Sequence, residues 1–263
     1  VHLRFPNFTL PLIIRAFMIK LTSLFLALTL SAVVADEAKN YAVQPVPRDA
    51  GWLTRHESFN AISKQGKAPL VFLGDSITQG WSGKGKEAWA NTWAPMGAVN
   101  FGIGGDRTEH VLWRLENGNF DGLKPKLVVL MIGTNNTGHV GRPQKELSGA
   151  LYQCSAEQTA AGVKAVIAKL QSKLPETKVL MLGIFPRGAD KNDKMRQQNE
   201  ATNSIIAKLA NDSKVYFMDI GKTFLAADGT LSKEIMPDLL HLNEKGYDMW
   251  TQAIVGKVTE LMK

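Results

Sequence analysis

The sequence holds a single cysteine, Cys154, among its 263 residues. One thiol makes no internal disulfide, so the fold must rest on its apolar core. No strand–turn context surrounds Cys154, and it is expected to be a passive buried thiol, not a nucleophile. Cysteine and histidine pairs at zinc-finger spacing are missing, and the extra ligands a metal would need beside Asp238 and His241 are not evident. No metal is therefore expected. The chain also lacks a basic stripe interleaved with aromatics, so no nucleic-acid partner is expected. Neither a solenoid-period repeat nor a low-complexity tract occurs. What is left is ordinary globular composition, 44% hydrophobic, with length for one α/β domain and a full core.

The long apolar run Leu21 to Val34 follows Met18-Ile19-Lys20. Val33 and Ala35 stand at the −3 and −1 positions of a cleavage site, and Asp36-Glu37 opens a polar stretch. That layout predicts a signal peptide over residues 1–35, cleaved after Ala35, and a secreted or periplasmic protein. An uncleaved anchor is the alternative, supported by the apolar patch Leu10 to Ile14. Translation from Met18, or from Val1 through an alternative start codon, is open. Removing 1–35 takes away Arg4, Arg15 and Lys20 and no acid, which lowers the net charge from +7 to +4. Such a mildly basic surface permits anionic polymers or membranes without selecting either. No stable membrane insertion is expected after leader removal. Residues 36–50, with Pro45 and Pro47, read as an extended linker, and 51–263 as the domain.

The domain alternates strands with helices. Leu70 to Leu73, Ala98 to Phe101, Leu127 to Ile132, Lys178 to Phe185 and Val215 to Asp219 read as strands. Helices are expected over Trp52 to Ser63, Glu87 to Trp93, Thr108 to Glu116, Ala156 to Leu174, Lys194 to Ala210 and Glu244 to Met262. Residues 137–152 read as a long loop. Leu127 to Ile132 is wholly apolar, as a strand covered on both faces must be. The pattern predicts βαβ units, hence a three-layer α/β/α sandwich on a five-stranded parallel sheet.

Three strands end in residue types that an acyl-transfer site needs. The first runs into Gly74-Asp75-Ser76, the second into Gly102-Ile103-Gly104-Gly105, the third into Gly133-Thr134-Asn135-Asn136. Strand ends of a parallel sheet converge on one edge. Asp238 and His241, three apart, fall on one face of a turn. Serine needs a base within reach, so His241 is expected to take the proton of Ser76. Asp238 is expected to fix the imidazole tautomer. The N–H groups of Ser76 and Gly105 and the Asn135 amide are the expected oxyanion donors. Asp75 and Asn136 are expected to touch substrate. Taken singly, each block has a plainer reading, as a turn, a loop cap or a helix start. Gly102-Ile103-Gly104-Gly105 puts Arg107 where a dinucleotide fingerprint needs glycine, which excludes that reading.

These blocks, with Asn100-Phe101 before the glycines and Asp238-Leu239-Leu240-His241-Leu242, resemble the SGNH (GDSL-like) hydrolase family over roughly residues 50–263. Val111-Leu112-Trp113-Arg114-Leu115 and Pro186-Arg187-Gly188 extend the resemblance to the catalytic subunits of platelet-activating factor acetylhydrolase isoform Ib. The resemblance implies a flavodoxin-like fold, no cofactor, and the same roles for Ser76, Gly105, Asn135, Asp238 and His241. The resembling subunits dimerise, which leaves a homodimer open. The serine is not in Gly-x-Ser-x-Gly, since position 78 is Thr. Two departures bear on substrate: the loop from His139 to Tyr152 is longer than in those subunits, and the chain carries an export signal. The expected activity is hydrolysis of short acyl esters, acetyl above all, on a sugar or polysaccharide. A phospholipid acyl hydrolase and a non-catalytic glycan-binding or scaffold protein are the alternatives.

Overall fold

The computed structural model describes residues 40–263. The expected leader, its cleavage site and the first residues of the linker lie outside the described residues. From Tyr41 to Lys263 the chain forms one compact unit. Five parallel strands, β1 (Leu70–Gly74), β2 (Ala98–Gly102), β3 (Leu127–Met131), β4 (Lys178–Leu182) and β5 (Val215–Met218), lie in the order β2-β1-β3-β4-β5. This is the flavodoxin-like order, whose topological switch point lies between β1 and β3. The register brings Gly74 level with Gly102 and Met131, so three strands end at one edge together.

The helices are α1 (Ala50–Lys64), α2 (Ser76–Gln79), α3 (Thr108–Glu116), α4 (Thr134–Gly138), α5 (Ala156–Lys173), α6 (Lys194–Ile206) and α7 (Glu244–Leu261). Strand side chains alternate between two cores. Val71, Leu73, Val128, Leu130, Val179 and Met181 face α1, α3, α5 and α6. Leu70, Phe72, Leu127, Val129, Leu180 and Leu182 face α7 and an aromatic cluster of Trp81, Trp93, Tyr247 and Trp250. In α5, Val163, Val166, Ile167 and Leu170 recur at helical spacing and are all buried. Ser155 and Gln158 close a capping box at its start. Truncating one of these core aliphatics to Ala costs about 2–5 kcal/mol, so the two cores dominate the stability of a domain with no disulfide.

Three expectations are corrected. Residues 41–49 are not a free linker: Ala42 is buried, the Thr108 hydroxyl donates to its carbonyl at 2.7 Å, and Arg48 donates to the Gly104 carbonyl at 2.7 Å. The helix expected over Glu87 to Trp93 is a short turn, Lys86–Ala88, followed by a widened π-type turn, Trp89–Trp93. Both tryptophan rings of that turn pack on Phe72, at 5.3 and 5.1 Å between centroids. Residues 137–152 are tied by a bridge between Pro143 and Leu151 and by bonds between residues 141 or 142 and Tyr152. Among the described residues, no helix is long and apolar enough to cross a membrane.

Candidate active site

The strand–helix junction at Ser76 depends on glycine. A Cβ on Gly74 would lie 2.2 Å from the Thr78 hydroxyl and 2.3 Å from the Met131 carbonyl. With hydrogen there, β1 turns directly into α2, and Ser76 opens that helix. Asp75 caps it, accepting from the Ile77 N–H at 3.0 Å. From the far end of the chain, the Tyr247 hydroxyl donates to the Ile77 carbonyl at 2.7 Å. Helix α7 thus fixes the turn that carries the serine, and the loop leading into α7 carries the histidine.

His241 Nε2 lies 2.9 Å from Ser76 Oγ, and His241 Nδ1 lies 2.6 Å from Asp238 Oδ2. A carboxylate only accepts, so Nδ1 carries the proton and Nε2 presents its lone pair to the serine hydroxyl. Asp238 Oδ1 also accepts the N–H groups of Leu240 at 3.1 Å and His241 at 2.7 Å. Leu239 between them has φ +59°, a left-handed conformation that costs about 1–3 kcal/mol for a non-glycine residue. That strained turn folds the carboxylate back under the imidazole. Burial works to raise the Asp238 pKa, but the bonds from the His241 ring and backbone outweigh it and hold the carboxylate below its ordinary range.

The second strand end supplies a wall beside the serine. A Cβ on Gly102 would stand 2.2 Å from the Gln79 backbone nitrogen, and one on Gly104 would stand 3.7 Å from Ser76 Cβ. The glycine turn therefore lies against the nucleophile helix, and the Gly104 N–H donates to Gln79 Oε1 at 2.6 Å. Asp106 anchors the turn from below. It is fully buried and accepts from Trp52 Nε1 at 2.6 Å and Arg114 Nη1 at 2.8 Å. From the third strand end, Asn135 Nδ2 donates one proton to the Asp106 carbonyl at 3.0 Å, which leaves its second N–H for a ligand. The backbone N–H groups of Ser76 and Gly105 have no acceptor among the described residues. These N–H groups, at the ends of three adjacent strands, are donors of the kind that stabilise a developing oxyanion.

The structure does not bring every expected residue to the surface of this site. Asn136 is fully buried: its side-chain Oδ1 accepts the Thr108 N–H at 3.1 Å, and its Nδ2 donates to the Thr108 hydroxyl at 3.0 Å and the Tyr152 hydroxyl at 2.8 Å. Asp75 is likewise buried. Both hold the frame from inside, which corrects the expectation that they touch substrate. Burial, reinforced by the Asp106 charge and opposed by the Ile77 N–H, His241 and Arg187, pushes the Asp75 carboxyl up to about 7.

Sequence reasoning gave no role to Arg187 or Tyr247. Arg187 Nη1 donates to the Thr134 carbonyl at 2.9 Å and hydroxyl at 3.2 Å, tying the end of β4 to α4. Its partial burial disfavours the cation, while Asp193, Asp75 and Asp238 favour it. The block Pro186-Arg187-Gly188 marks its position; nothing in the sequence marks Tyr247.

A family model of the GDSL-like lipase/acylhydrolase family matches residues 72–249. The human platelet-activating factor acetylhydrolase IB subunit alpha1 is 37% identical over 226 residues, 86% of this chain and 90% of that protein. A GDSL-like lipase from Bacteroides thetaiotaomicron superposes with a TM-score of 0.59 at 20% identity, over 78% of this chain and 97% of that one. An acetyl xylan esterase gives a TM-score of 0.52 at 27% identity, over 70% of this chain and 98% of that one. On its sequence, its sheet order and its strand-end constellation, the chain belongs to the GDSL-like lipase/acylhydrolase family.

Proposed function

We propose that this protein is an exported serine esterase that removes short acyl groups, chiefly acetyl, from carbohydrates. The observation that carries the reading is the unbroken line from Ser76 Oγ through His241 to Asp238, at 2.9 and 2.6 Å. In the proposed reaction, His241 Nε2 takes the hydroxyl proton as Ser76 Oγ bonds to the ester carbonyl carbon. The N–H groups of Ser76 and Gly105 and the free Asn135 N–H hold the oxyanion. His241 then gives its proton to the leaving alcohol, and the acyl group stays on Ser76. Water, deprotonated by His241, attacks the acyl-enzyme and releases the acid. Ser76→Ala is expected to lower kcat for p-nitrophenyl acetate about 10⁶-fold without loss of fold, by analogy with nucleophile removal in serine hydrolases. Unchanged turnover overturns the assignment.

A second reading takes an acetylated glycerophospholipid as substrate and is favoured by the 37% identity to the platelet-activating factor acetylhydrolase subunit. The carbohydrate reading is supported by the likeness to an acetyl xylan esterase. Acetate release from acetylated xylooligosaccharides against release from an acetyl-glycerophosphocholine separates the two.

A further inference from the structure

Against Gly105, one of the expected oxyanion donors, opens a cavity of about 680 Å³, within the size range of ligand sites. One wall is the glycine turn; a second is the 46–49 segment; the third is the loop from His139 to Glu146. Two donors on these walls have no protein acceptor. Arg48 spends Nη1 on the Gly104 carbonyl and on Asp106, and its Nη2 stands 3.1 Å from where a Gly105 Cβ would be. The second donor is on His139. Arg107 Nη1, which can only donate, lies 2.8 Å from His139 Nδ1. Nδ1 must therefore accept, the proton sits on Nε2, and that N–H has no partner among the described residues.

Both donors are held rigidly from behind. Arg107 is completely buried, and its guanidinium stacks 4.3 Å from the Tyr152 ring centre. It donates to Glu109 at 2.6 Å and Gln144 at 2.8 Å and also bonds Glu146. Burial and the charges of Arg107, Arg142, His110 and Arg48 push His139 down to about 4, so it stays a neutral donor at pH 7. The remaining lining mixes charge signs, with Lys145 against Asp49 and Glu146, and includes no phenyl, phenol or indole ring. A quaternary ammonium headgroup is recognised by aromatic cages, which this lining lacks. Val46, Pro47, Pro143 and the aliphatic stems of the longer side chains give the lining apolar surface between these polar groups, which suits the C–H faces of a sugar ring. A ligand with many hydroxyls, each donor and acceptor at once, matches a lining of fixed donors interspersed with carboxylates.

We propose that this cavity is a subsite for the alcohol portion of the substrate, binding sugar rings next to the acetylated one through Arg48 and His139 Nε2. The proposal rests on the esterase reading and adds the position and residues of glycan recognition. Two variants test it: His139→Ala, which removes a donor, and Lys145→Trp, which fills the cavity mouth from an exposed position without touching the Arg107 bonds. The assay compares kcat/KM for an acetylated xylooligosaccharide with kcat/KM for p-nitrophenyl acetate. Both variants are expected to lower the glycan-to-nitrophenyl ratio at least tenfold, mainly through a higher KM. Deacetylated xylooligosaccharide is expected to inhibit the wild type competitively and the variants much less. If the wild type hydrolyses p-nitrophenyl acetate but both variants leave the ratio unchanged, the subsite is refuted and the esterase stands. Equal losses on both substrates make the residues structural and also refute the subsite. A wild type inert toward every ester refutes the esterase reading itself.

Discussion

Replacing Asp238 with asparagine tests the proposed proton path more sharply than removing the side chain. Asp238 Oδ1 accepts two backbone N–H groups, from Leu240 and His241, while Oδ2 faces His241 Nδ1. In Asp238→Asn the amide oxygen is held in the Oδ1 place by those two N–H groups, which an NH₂ cannot satisfy. The amide nitrogen then points at Nδ1 and donates to it. Nδ1 becomes an acceptor, the ring proton moves to Nε2, and the lone pair facing Ser76 is gone. The wrong tautomer is thus built in by the same turn that orients the native one. The drop expected at pH 7 is about 10⁴ in kcat, the effect of the equivalent exchange in other serine hydrolases, or about 5 kcal/mol of activation free energy. Stability is expected to change little, because the Asp238 side chain is 57% exposed and the turn keeps its caps. The assay is kcat for p-nitrophenyl acetate with thermal melting run beside it. A loss under tenfold with an unchanged melt refutes the tautomer-fixing role of Asp238, because a merely structural aspartate is replaced well by asparagine.

Three further outcomes follow from groups around the site. Asp75 gives up its proton near pH 3.8 when unfolded and near 7 when folded, so between those values the folded state holds the extra proton and stability falls as pH rises. The full loss is on the order of 4 kcal/mol above pH 7; denaturant melts of Asp75→Asn should lose this slope, and an unaltered slope contradicts it. Arg114→Met leaves the buried Asp106 carboxylate without its shortest guanidinium partner, at a cost of about 3–5 kcal/mol. Calorimetry should show a Tm lower by on the order of 10 °C, and an unshifted Tm refutes the hub role of Asp106. Cys154 is buried with Sγ 3.2 Å from the Thr159 hydroxyl, and burial pushes its thiol up. Cys154→Ala should leave kcat within about twofold, since the low thiolate fraction makes it inert; a large loss contradicts its passive role.

Segments whose character is local were legible in the sequence. The five apolar residues of β3 are buried without exception, and α3 runs from Thr108 to Glu116 as its periodicity predicts. The convergence of Ser76, Gly105 and Asn135 on one sheet edge followed from strand ends alone, because parallel topology leaves them nowhere else to go. What stayed hidden depends on distant partners. Asn136 reads as an exposed polar residue next to a donor until Thr108 and Tyr152 are seen to claim its amide. Residues 41–49 read as a linker because nothing local shows that Thr108 and Gly104 fasten them. The ordering of 139–152 is set by Arg107, whose neighbours in sequence give no sign of it.

Covalent trapping of the nucleophile tests the central claim most directly. The folded protein is incubated with a serine-directed fluorophosphonate, and the adduct is located by intact mass and peptide mapping. A single adduct on Ser76, formed at least about a hundredfold more slowly in His241→Ala because the base is gone, is the expected result. A native protein that takes no label, or takes it on another residue while Ser76 stays free, contradicts the account.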